Sequence, residues 1–224
     1  MKVAIDGPAG AGKSTIARRV AAALGYVYVD TGAMYRALTA EVLRRNMDPA
    51  DATAVSELAR SLNIQLDREA GGGTQRVWAA DRDVTEEIRE PVVNQNVSMV
   101  ASHQGVRSAV VAQQKGMAAQ GNVVMDGRDI GTTVMPNADV KVFLKASVTE
   151  RARRRSLDLV RRGYSVNLAQ LAEEIRERDM FDSTRRVSPL RRASDAVEID
   201  TTHLTVEEVV DMVLLLCRNR EAGE

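Results

Sequence analysis

The segment GPAGAGKS, residues 7–14, has the residue types and spacing of a phosphate-binding loop. It follows the apolar run at residues 2–6 and opens the helical pattern at residues 13–24, which is the strand–loop–helix context that such a loop requires. Glycine-rich backbone amides can converge on phosphate oxygens, and the helix start adds partial positive charge. Lys13 is predicted to reach the β- and γ-phosphates, and the Ser14 hydroxyl to bind Mg²⁺ directly. The segment therefore predicts a nucleoside triphosphate site.

Several classes of triphosphatase do not fit this chain. Guanine-specific GTPases carry an N-K-x-D motif and a D-x-x-G switch after the third strand, and the sequence has neither. A length of 224 residues is also short for an AAA-type or helicase engine. We therefore expect a small phosphotransferase with an acceptor pocket of its own.

The segment VDTGAMYR, residues 29–36, is the first candidate for that pocket. Ligands of open α/β sheets bind beyond the carboxyl ends of the strands, and this segment follows the second predicted strand. The Thr31 hydroxyl either caps the following helix or faces the acceptor. Arg36 either reaches a monoester phosphate or is a solvated surface side chain.

The segment VVMDGRDIGTTV, residues 123–134, is the second candidate. Asp126, Arg128 and Asp129 follow an apolar run that predicts the third strand of the sheet, beside the first loop. Taken alone, these three residues could form a metal site, a phosphate clamp, a base-reading site or a charged loop. Asp126, at the strand end, has the position at which P-loop folds often place the acid that orients Mg²⁺ waters.

The third candidate is an arginine-rich tract at residues 151–192, with twelve arginines and six acidic residues. A local excess of positive charge could bind nucleic acid, but Tyr164 and Phe181 are its only aromatic residues. Phosphoryl transfer needs positive charge around the transition state and the exclusion of water. We therefore predict a lid over the phosphates at about residues 151–185.

The overall composition indicates the compartment and the kinds of partner to expect. The net charge is zero, and five lysines among 31 basic residues leave 26 arginines. Cys217 is the only cysteine, which excludes an internal disulfide and predicts a buried structural thiol in a reducing compartment. The start MKVAIDGPAG is not a signal peptide, and no apolar run approaches the length of a membrane span. We expect a cytoplasmic protein without membrane partners.

The motifs lie within an alternation of strand and helix patterns. Apolar runs predict strands at residues 2–6, 26–30, 122–126, 140–146 and 196–200. Helical spacing predicts helices at residues 13–24, 32–46, 51–62, 88–102, 104–120 and 205–218. Between them, residues 63–84 predict a small antiparallel insertion, with strand-like IQL and RVWA separated by a turn at GGG, residues 71–73. We predict a single α/β domain spanning residues 1–224, with a five-stranded parallel sheet flanked by helices.

The chain closely resembles the bacterial cytidylate kinases, which phosphorylate CMP and dCMP with ATP. The matching segments are IDGPAGAGKST, VDTGAMYR, DVTEEIRE, VMDGRDIGT, RARRRSLDL, ERDMFDSTRRVSPL and AVEIDTTHLTVEEVV. They run in family order from residue 5 to about residue 210. The resemblance implies the P-loop nucleoside monophosphate kinase fold, with the insertion in the monophosphate-binding region.

The resemblance also implies roles for individual residues. The ATP-binding segment is Gly7, Pro8, Ala9, Gly10, Ala11, Gly12, Lys13, Ser14 and Thr15. Arg36, Arg128 and Arg185 would face the CMP phosphate with Thr31 nearby; Ser102, Arg107 and Asp129 would read cytosine; Arg178 and Asp182 would hold the ribose. Catalysis would rest on Lys13, Arg128, Arg185, Arg151 and Arg154, although the sequence does not rank Arg151, Arg154 and Arg155 within the lid.

Under this resemblance, Asp129 is interpreted as a cytosine discriminator. A carboxylate accepts a hydrogen bond from the N4 amino group of cytosine but would face the O4 oxygen of uracil. The reaction predicted is direct transfer between ATP and CMP with Mg²⁺ and without a covalent intermediate or general base, by a monomer. His103 and His203 are interpreted as structural or surface residues. The alternatives are a kinase of the same fold acting on UMP, AMP, shikimate or gluconate, and a nucleic-acid-binding ATPase.

Overall fold

The computed structural model describes residues 1–67 and 75–223. The strands are β1 (Lys2–Asp6), β2 (Val27–Asp30), β3 (Ile64–Leu66), β4 (Val77–Ala79), β5 (Arg82–Asp83), β6 (Val123–Gly127), β7 (Val140–Lys145) and β8 (Val197–Asp200). The helices are α1 (Lys13–Leu24), α2 (Thr31–Arg44), α3 (Ala52–Ser61), α4 (Pro91–Val100), α5 (Gln104–Ala118), α6 (Val148–Arg161), α7 (Leu168–Thr184) and α8 (Val206–Ala222).

The main sheet has five strands in the order β2-β6-β1-β7-β8, and every pairing is parallel. This confirms the predicted α/β fold with a five-stranded parallel sheet. The central strands β1 and β6 are buried almost along their whole length, as expected for parallel strands covered by helices on both faces. Because β2, β6 and β1 are neighbours, the loops that follow them meet at one edge of the sheet.

The two largest of four apolar clusters among the described residues join the sheet to its helices and the helices to one another. The first joins the sheet to α1 and α8 and includes the fully buried Val20, Leu144 and Val213. Cys217 belongs to this core, and burial raises the pKa of its thiol to about 11, as the prediction of a structural thiol requires. The second core joins α2 to α3, α4, α5 and the small sheet around Leu38. The side of the molecule that carries the insertion therefore has its own apolar centre.

The insertion is a three-stranded antiparallel sheet in the order β3-β4-β5. Strands β3 and β4 confirm the strand-like IQL and RVWA segments, while the two-residue β5 was not predicted. The predicted turn at residues 71–73 lies outside the described residues. Gln75 ties the insertion to β2, because its side-chain amide donates to the Tyr28 carbonyl at 2.8 Å and accepts from the Asp30 amide at 3.2 Å.

Some element boundaries differ from the predictions. Helix α4 begins at Pro91 rather than at residue 88, after a separate 3₁₀ turn at Glu87–Arg89, because proline is favoured in the first turn of a helix. Helix α8 continues to Ala222 and ends at Gly223, whose φ of 82° is left-handed. None of the described helices combines the length and the apolar character that a membrane span needs.

Candidate active site

The glycine-rich loop between β1 and α1 lies against the end of β7. A Cβ atom on Gly7, whose φ is 147°, would lie 2.0 Å from the Leu144 carbonyl oxygen, so no larger residue fits there. Lys13 is buried at the first position of α1, and its ammonium group donates to the Pro8 carbonyl at 2.7 Å. A cavity of about 600 Å³ extends from the loop between α6 and the start of α8. The loop thus opens onto a space large enough for a nucleotide.

Asp126, at the end of β6, is buried beside the loop and holds two hydroxyl groups. The Ser14 hydroxyl donates to its carboxylate at 2.9 Å, and the Tyr28 hydroxyl donates at 2.8 Å. Burial and the neighbouring Asp30 raise the pKa of Asp126, while burial and Arg128 lower the pKa of Lys13. Both charges therefore lie in an environment that penalises them, which a bound cation beside Asp126 and a bound phosphate beside Lys13 would relieve.

The start of α2 corrects one sequence hypothesis. The residue that caps the helix is Asp30, whose carboxylate accepts from the Ala33 amide at 2.8 Å, and not Thr31. The Thr31 hydroxyl instead donates to the Asp126 carbonyl at 2.6 Å. This contact depends on Gly127, since a Cβ atom there would lie 2.6 Å from the Thr31 oxygen.

Arg36 lies one turn into α2 and forms an ion pair with Asp30 at 2.8 Å. Its side chain is only partly exposed, and it lines a cavity of about 580 Å³ with Ser14 and Thr15 of the glycine-rich loop. The solvated-surface alternative for Arg36 is therefore wrong. An arginine held at the wall of a cavity beside the triphosphate loop can contact an anionic ligand there.

The turn after β6 is held in position by hydrogen bonds to Asp6. Its buried carboxylate accepts from the backbone amides of Ile130 and Gly131, each at 2.8 Å. Residues Ile130–Val134 consequently form a π-helical turn that the sequence did not predict. Asp6 thus sets the position of Arg128 and Asp129, which immediately precede this turn.

Asp129 and Arg107 form an ion pair in which both side chains are buried. The Arg107 guanidinium also lies over the Tyr35 ring, 5.3 Å from its centroid. A buried charge pair is stable only when both partners are well placed, so the two side chains hold each other in a fixed arrangement. Ser102, predicted to join them, donates its hydroxyl to the Met99 carbonyl at 2.7 Å.

Asp182 on α7 gathers three arginines. Arg128 lies 3.1 Å and Arg185 lies 3.8 Å from its carboxylate. Burial acts to raise the pKa of Asp182, but Arg128, Arg178 and Arg185 together lower it. The structure therefore brings Arg128, from the turn after β6, to three residues at the end of α7 that were also predicted to contact the acceptor.

Several arginine nitrogen atoms in this region are buried without a partner among the described residues: Arg107 Nε, Arg178 Nε and Arg185 Nη2. An unpaired buried N–H group is unfavourable, and such groups in a folded protein call for a ligand, an ion or water. Three guanidinium groups with unused donors in one region fit an anionic, hydrogen-bonding ligand.

Two arginines of the predicted lid, Arg151 and Arg154, are paired with groups of the protein. Arg151 forms a two-point ion pair with Asp179 of α7, at 3.0 and 2.5 Å. Arg154 donates to Glu150 and to the hydroxyl and carbonyl of Thr201. Both arginines therefore have protein partners in place.

The sequence predictions missed four residues of the site: Asp6, Tyr28, Asp30 and Tyr35. Asp30 and Tyr35 lie within the VDTGAMYR segment, so the segment was recognised but not these members of it. Asp6 ends β1 and Tyr28 lies in β2, so the sequence pattern identified both only as strand residues. His103 contacts the Pro49 carbonyl at 2.8 Å and His203 is exposed, as predicted for structural or surface residues.

Comparison with known proteins agrees with these features. The family profile described as Cytidylate kinase matches residues 3–219. A Cytidylate kinase from Geobacillus kaustophilus is 53% identical over 98% of this chain and 97% of its own, and one from Bacillus cytotoxicus is 52% identical over 96% and 95%. An uncharacterized protein from Eubacterium ventriosum of known structure shares the fold, with a TM-score of 0.52 at 12% identity and 98% coverage of both chains. The chain belongs to the cytidylate kinase family.

Proposed function

We propose that this protein transfers the γ-phosphoryl group of ATP to CMP or dCMP, giving CDP or dCDP and ADP. One observation carries the proposal: Ser14 of the triphosphate loop and Thr31 of the acceptor segment both donate to Asp126, Ser14 to its carboxylate at 2.9 Å and Thr31 to its carbonyl at 2.6 Å. A donor loop and an acceptor segment therefore adjoin each other. Family membership and the names of the relatives support the choice of substrates.

The acceptor phosphate would be held by Arg36, Arg128 and Arg185, with Thr31 nearby. Guanidinium groups bind phosphate through paired N–H donors, and the Arg185 Nη2 is buried without a partner within residues 1–67 and 75–223. An oxygen of the acceptor phosphate forms the new bond to the γ-phosphorus, and the bond to the ADP oxygen breaks with its electron pair. A monophosphate oxygen is already nucleophilic near neutral pH, so no general base is required.

The base would be read by the Arg107–Asp129 pair. Asp129 accepts from the cytosine amino group, while Arg107 Nε, which has no partner among the residues described, would donate to the cytosine acceptors. Uracil would set its O4 oxygen against the Asp129 carboxylate and leave that buried group unpaired. Ser102 is assigned to this site by resemblance, and Arg178 with Asp182 would contact the ribose.

The residues beside the loop fit a magnesium ion. Ser14 would bind it directly and Asp126 through water, and both supply the hard oxygen atoms that Mg²⁺ prefers. The described residues contain no group of three or more His, Cys, Asp or Glu side chains that could hold a metal, which agrees with an ion held largely by phosphates and water. When bound, Mg²⁺ neutralises charge on the β- and γ-phosphates. Asp126 would orient its water, and Tyr28 holds the carboxylate in position.

We also propose that the arginine-rich helices form a lid rather than a nucleic-acid surface. Many of their charges are already paired, as in Arg153 with Glu150 and Arg176 with Glu173. A duplex-binding surface needs free positive charge for phosphates. A cytoplasmic monomer acting on small nucleotides is the form we expect.

The test is ADP production by the purified protein with Mg·ATP and, in parallel, CMP, dCMP, UMP and AMP. Strong turnover of CMP and dCMP with feeble turnover of UMP is expected. Equal turnover of CMP and UMP would retain the kinase and remove the assigned role of Asp129. Turnover of none of the four would overturn the proposed function.

A further inference from the structure

Five arginines of α6 face the glycine-rich loop or its cavity: Arg151, Arg153, Arg154, Arg155 and Arg161. Arg153 and Arg161 are exposed and lie against Glu150 and Asp158. Arg151 is buried, and besides its ion pair with Asp179 it donates to the carbonyls of Ala9, at 3.1 Å, and Ala146, at 2.9 Å. Its N–H groups donate to acceptors of the protein itself. Arg151 therefore fastens α7 to the back of the loop and has little capacity left for a ligand.

Arg154 supports the same loop by another route. It donates to the Thr201 hydroxyl at 3.0 Å and to the Thr201 carbonyl at 2.5 Å. The Thr201 hydroxyl in turn donates to the Ala11 carbonyl at 3.2 Å. Arg154 therefore connects α6 to the glycine-rich loop through the end of β8.

Arg155 has a different environment. It has no ion pair or side-chain hydrogen bond within residues 1–67 and 75–223, and its Nε is buried without a partner there. Burial lowers the pKa of this guanidinium, although Glu174 opposes the shift. A buried N–H donor without a protein partner among the described residues is an arrangement that a bound anion would stabilise.

The position of Arg155 indicates which anion it would bind. Its side chain lines the cavity of about 600 Å³ at the glycine-rich loop and also the cavity of about 580 Å³ that holds Arg36. It borders a third space, of about 390 Å³, shared with Arg178. The first cavity adjoins the loop that would bind the donor. Each of the other two is lined by a residue assigned to the acceptor, Arg36 or Arg178. Arg155 therefore lies where the two substrates meet.

Three other arginines, Arg18, Arg107 and Arg178, have a buried Nε without a partner among the described residues, but none of them lines both spaces. The Arg18 guanidinium lies 5.7 Å from the centroid of the Tyr28 ring, so it has an aromatic partner. Arg178 borders the cavity of about 390 Å³ but not the donor cavity.

Arg161 lines the donor cavity and the cavity that holds Arg36, but its side chain is exposed and lies 3.9 Å from Asp158. Arg155 is therefore the arginine that both borders the two spaces and has a buried Nε without a partner among the described residues.

We propose that Arg155 is the catalytic arginine of the lid and donates to the oxygens of the transferring phosphoryl group, while Arg151 and Arg154 are positioning residues for the glycine-rich loop. This inference rests on the proposed function. As the bond from the γ-phosphorus to ADP breaks and the bond to the acceptor oxygen forms, the planar fork of Arg155 faces charge spread over the equatorial oxygens.

The test compares Arg155→Ala, Arg155→Lys and the control Arg176→Ala, a charge removal on the exposed face of α7. We expect Arg155→Ala to lower kcat by about 10²- to 10³-fold and to change KM for ATP and CMP only a few-fold. Arg155→Lys should recover part of kcat, and added guanidinium should partly rescue Arg155→Ala. Arg176→Ala should match the wild type. The melting temperature of Arg155→Ala should stay within about 2 °C of the wild type, because no protein partner is lost.

Two results would overturn the inference: a kcat of Arg155→Ala within about threefold of the wild type, or an increase in KM with kcat unchanged, which marks uniform binding. Either result requires a wild-type enzyme that turns over CMP. Absence of turnover by the wild type would instead refute the proposed function, so the two failures are separable.

Discussion

The donor and acceptor sides of the site are built by different means. The donor side is one continuous loop, residues 7–15, whose shape follows from glycines and whose charge follows from Lys13 and the start of α1. The acceptor side is assembled from side chains of α2, α5, α7 and the turn after β6, joined by the Arg107–Asp129 and Arg128–Asp182 pairs. A loop that acts through its backbone tolerates little change in main-chain geometry. A site made of paired side chains can change its specificity one residue at a time.

The most severe change on the donor side is Lys13→Ala. Lys13 is proposed to neutralise charge on the phosphates, and its removal should lower kcat by about 10³-fold. Stability should be nearly unaffected, because a buried ammonium is itself unfavourable and, among the described residues, Lys13 donates only to the Pro8 carbonyl. Steady-state kinetics and thermal unfolding measure the two effects. The exposed Lys115→Ala serves as a control for charge, and retention of most turnover by Lys13→Ala would refute the mechanism.

On the acceptor side, Asp129→Asn should alter which base is accepted. The asparagine oxygen can still accept from Arg107, while its amide group can donate to the O4 oxygen of uracil. We expect the ratio of kcat/KM for CMP to that for UMP to fall by about 10²-fold or more. The measurement is kcat/KM for both nucleotides, with the exposed Asp211→Asn as the control. An unchanged ratio would remove Asp129 from base recognition.

The same contrast explains what the sequence can predict. The donor loop is contiguous, and its strand–loop–helix context is local, so the sequence predicts both its position and its role. The fold could also be predicted from local sequence patterns, because buried parallel strands and amphipathic helices have distinct periodicities. The acceptor side depends on Asp182, Arg128 and Arg107 meeting across more than fifty residues, which only tertiary packing arranges.

The failures have the same origin. Thr31 was a reasonable helix cap by residue type, but the close approach of β6 at Gly127 gives its hydroxyl a stronger partner in the Asp126 carbonyl. Arg151 and Arg155 are equivalent in the sequence, since both lie in one arginine-rich turn of α6. They differ only because Asp179 and the Ala9 carbonyl reach Arg151, whereas Arg155 has no such partner in the described parts of the chain.

A third change tests whether the lid helices support the donor loop. Asp179→Ala should destabilise the fold by about 2 kcal/mol, since it leaves the buried Arg151 without its carboxylate while Asp179 itself is partly exposed. This corresponds to a fall of about 5 °C in melting temperature. Glu173→Ala, which removes an exposed ion pair from the same helix, should change it by no more than about 1 °C. Equal effects of the two variants would show that the Arg151 contact adds nothing to stability.

The smallest effect is expected from Glu41, which holds the acceptor-side helix α2 to the insertion. Its carboxylate pairs with Arg44 and Arg45, each at 2.6 Å, and with Arg82 of β5 at 3.5 Å. The hydrogen bond from Arg44, opposed by burial, and that from Arg45 lower the pKa of Glu41 from 4.5 to about 2. A depressed pKa means that the folded protein releases this proton more readily than the unfolded chain. The resulting stability is therefore complete above pH 4.5 and is lost as the pH falls toward about 2.

Glu41→Gln isolates this contribution. The variant should be less stable than the wild type by about 1 kcal/mol at pH 7, because the partner arginines are half exposed and their attraction is screened. The difference should shrink at pH 4 and shrink further at pH 3, because the carboxylate of the unfolded wild-type chain takes up its proton near pH 4.5 while that of the folded protein stays ionised until the pH nears 2. Urea unfolding at the three pH values measures it, with the exposed Glu57→Gln on α3 as the control. A difference that stays constant with pH would show that Glu41 acts through packing rather than charge.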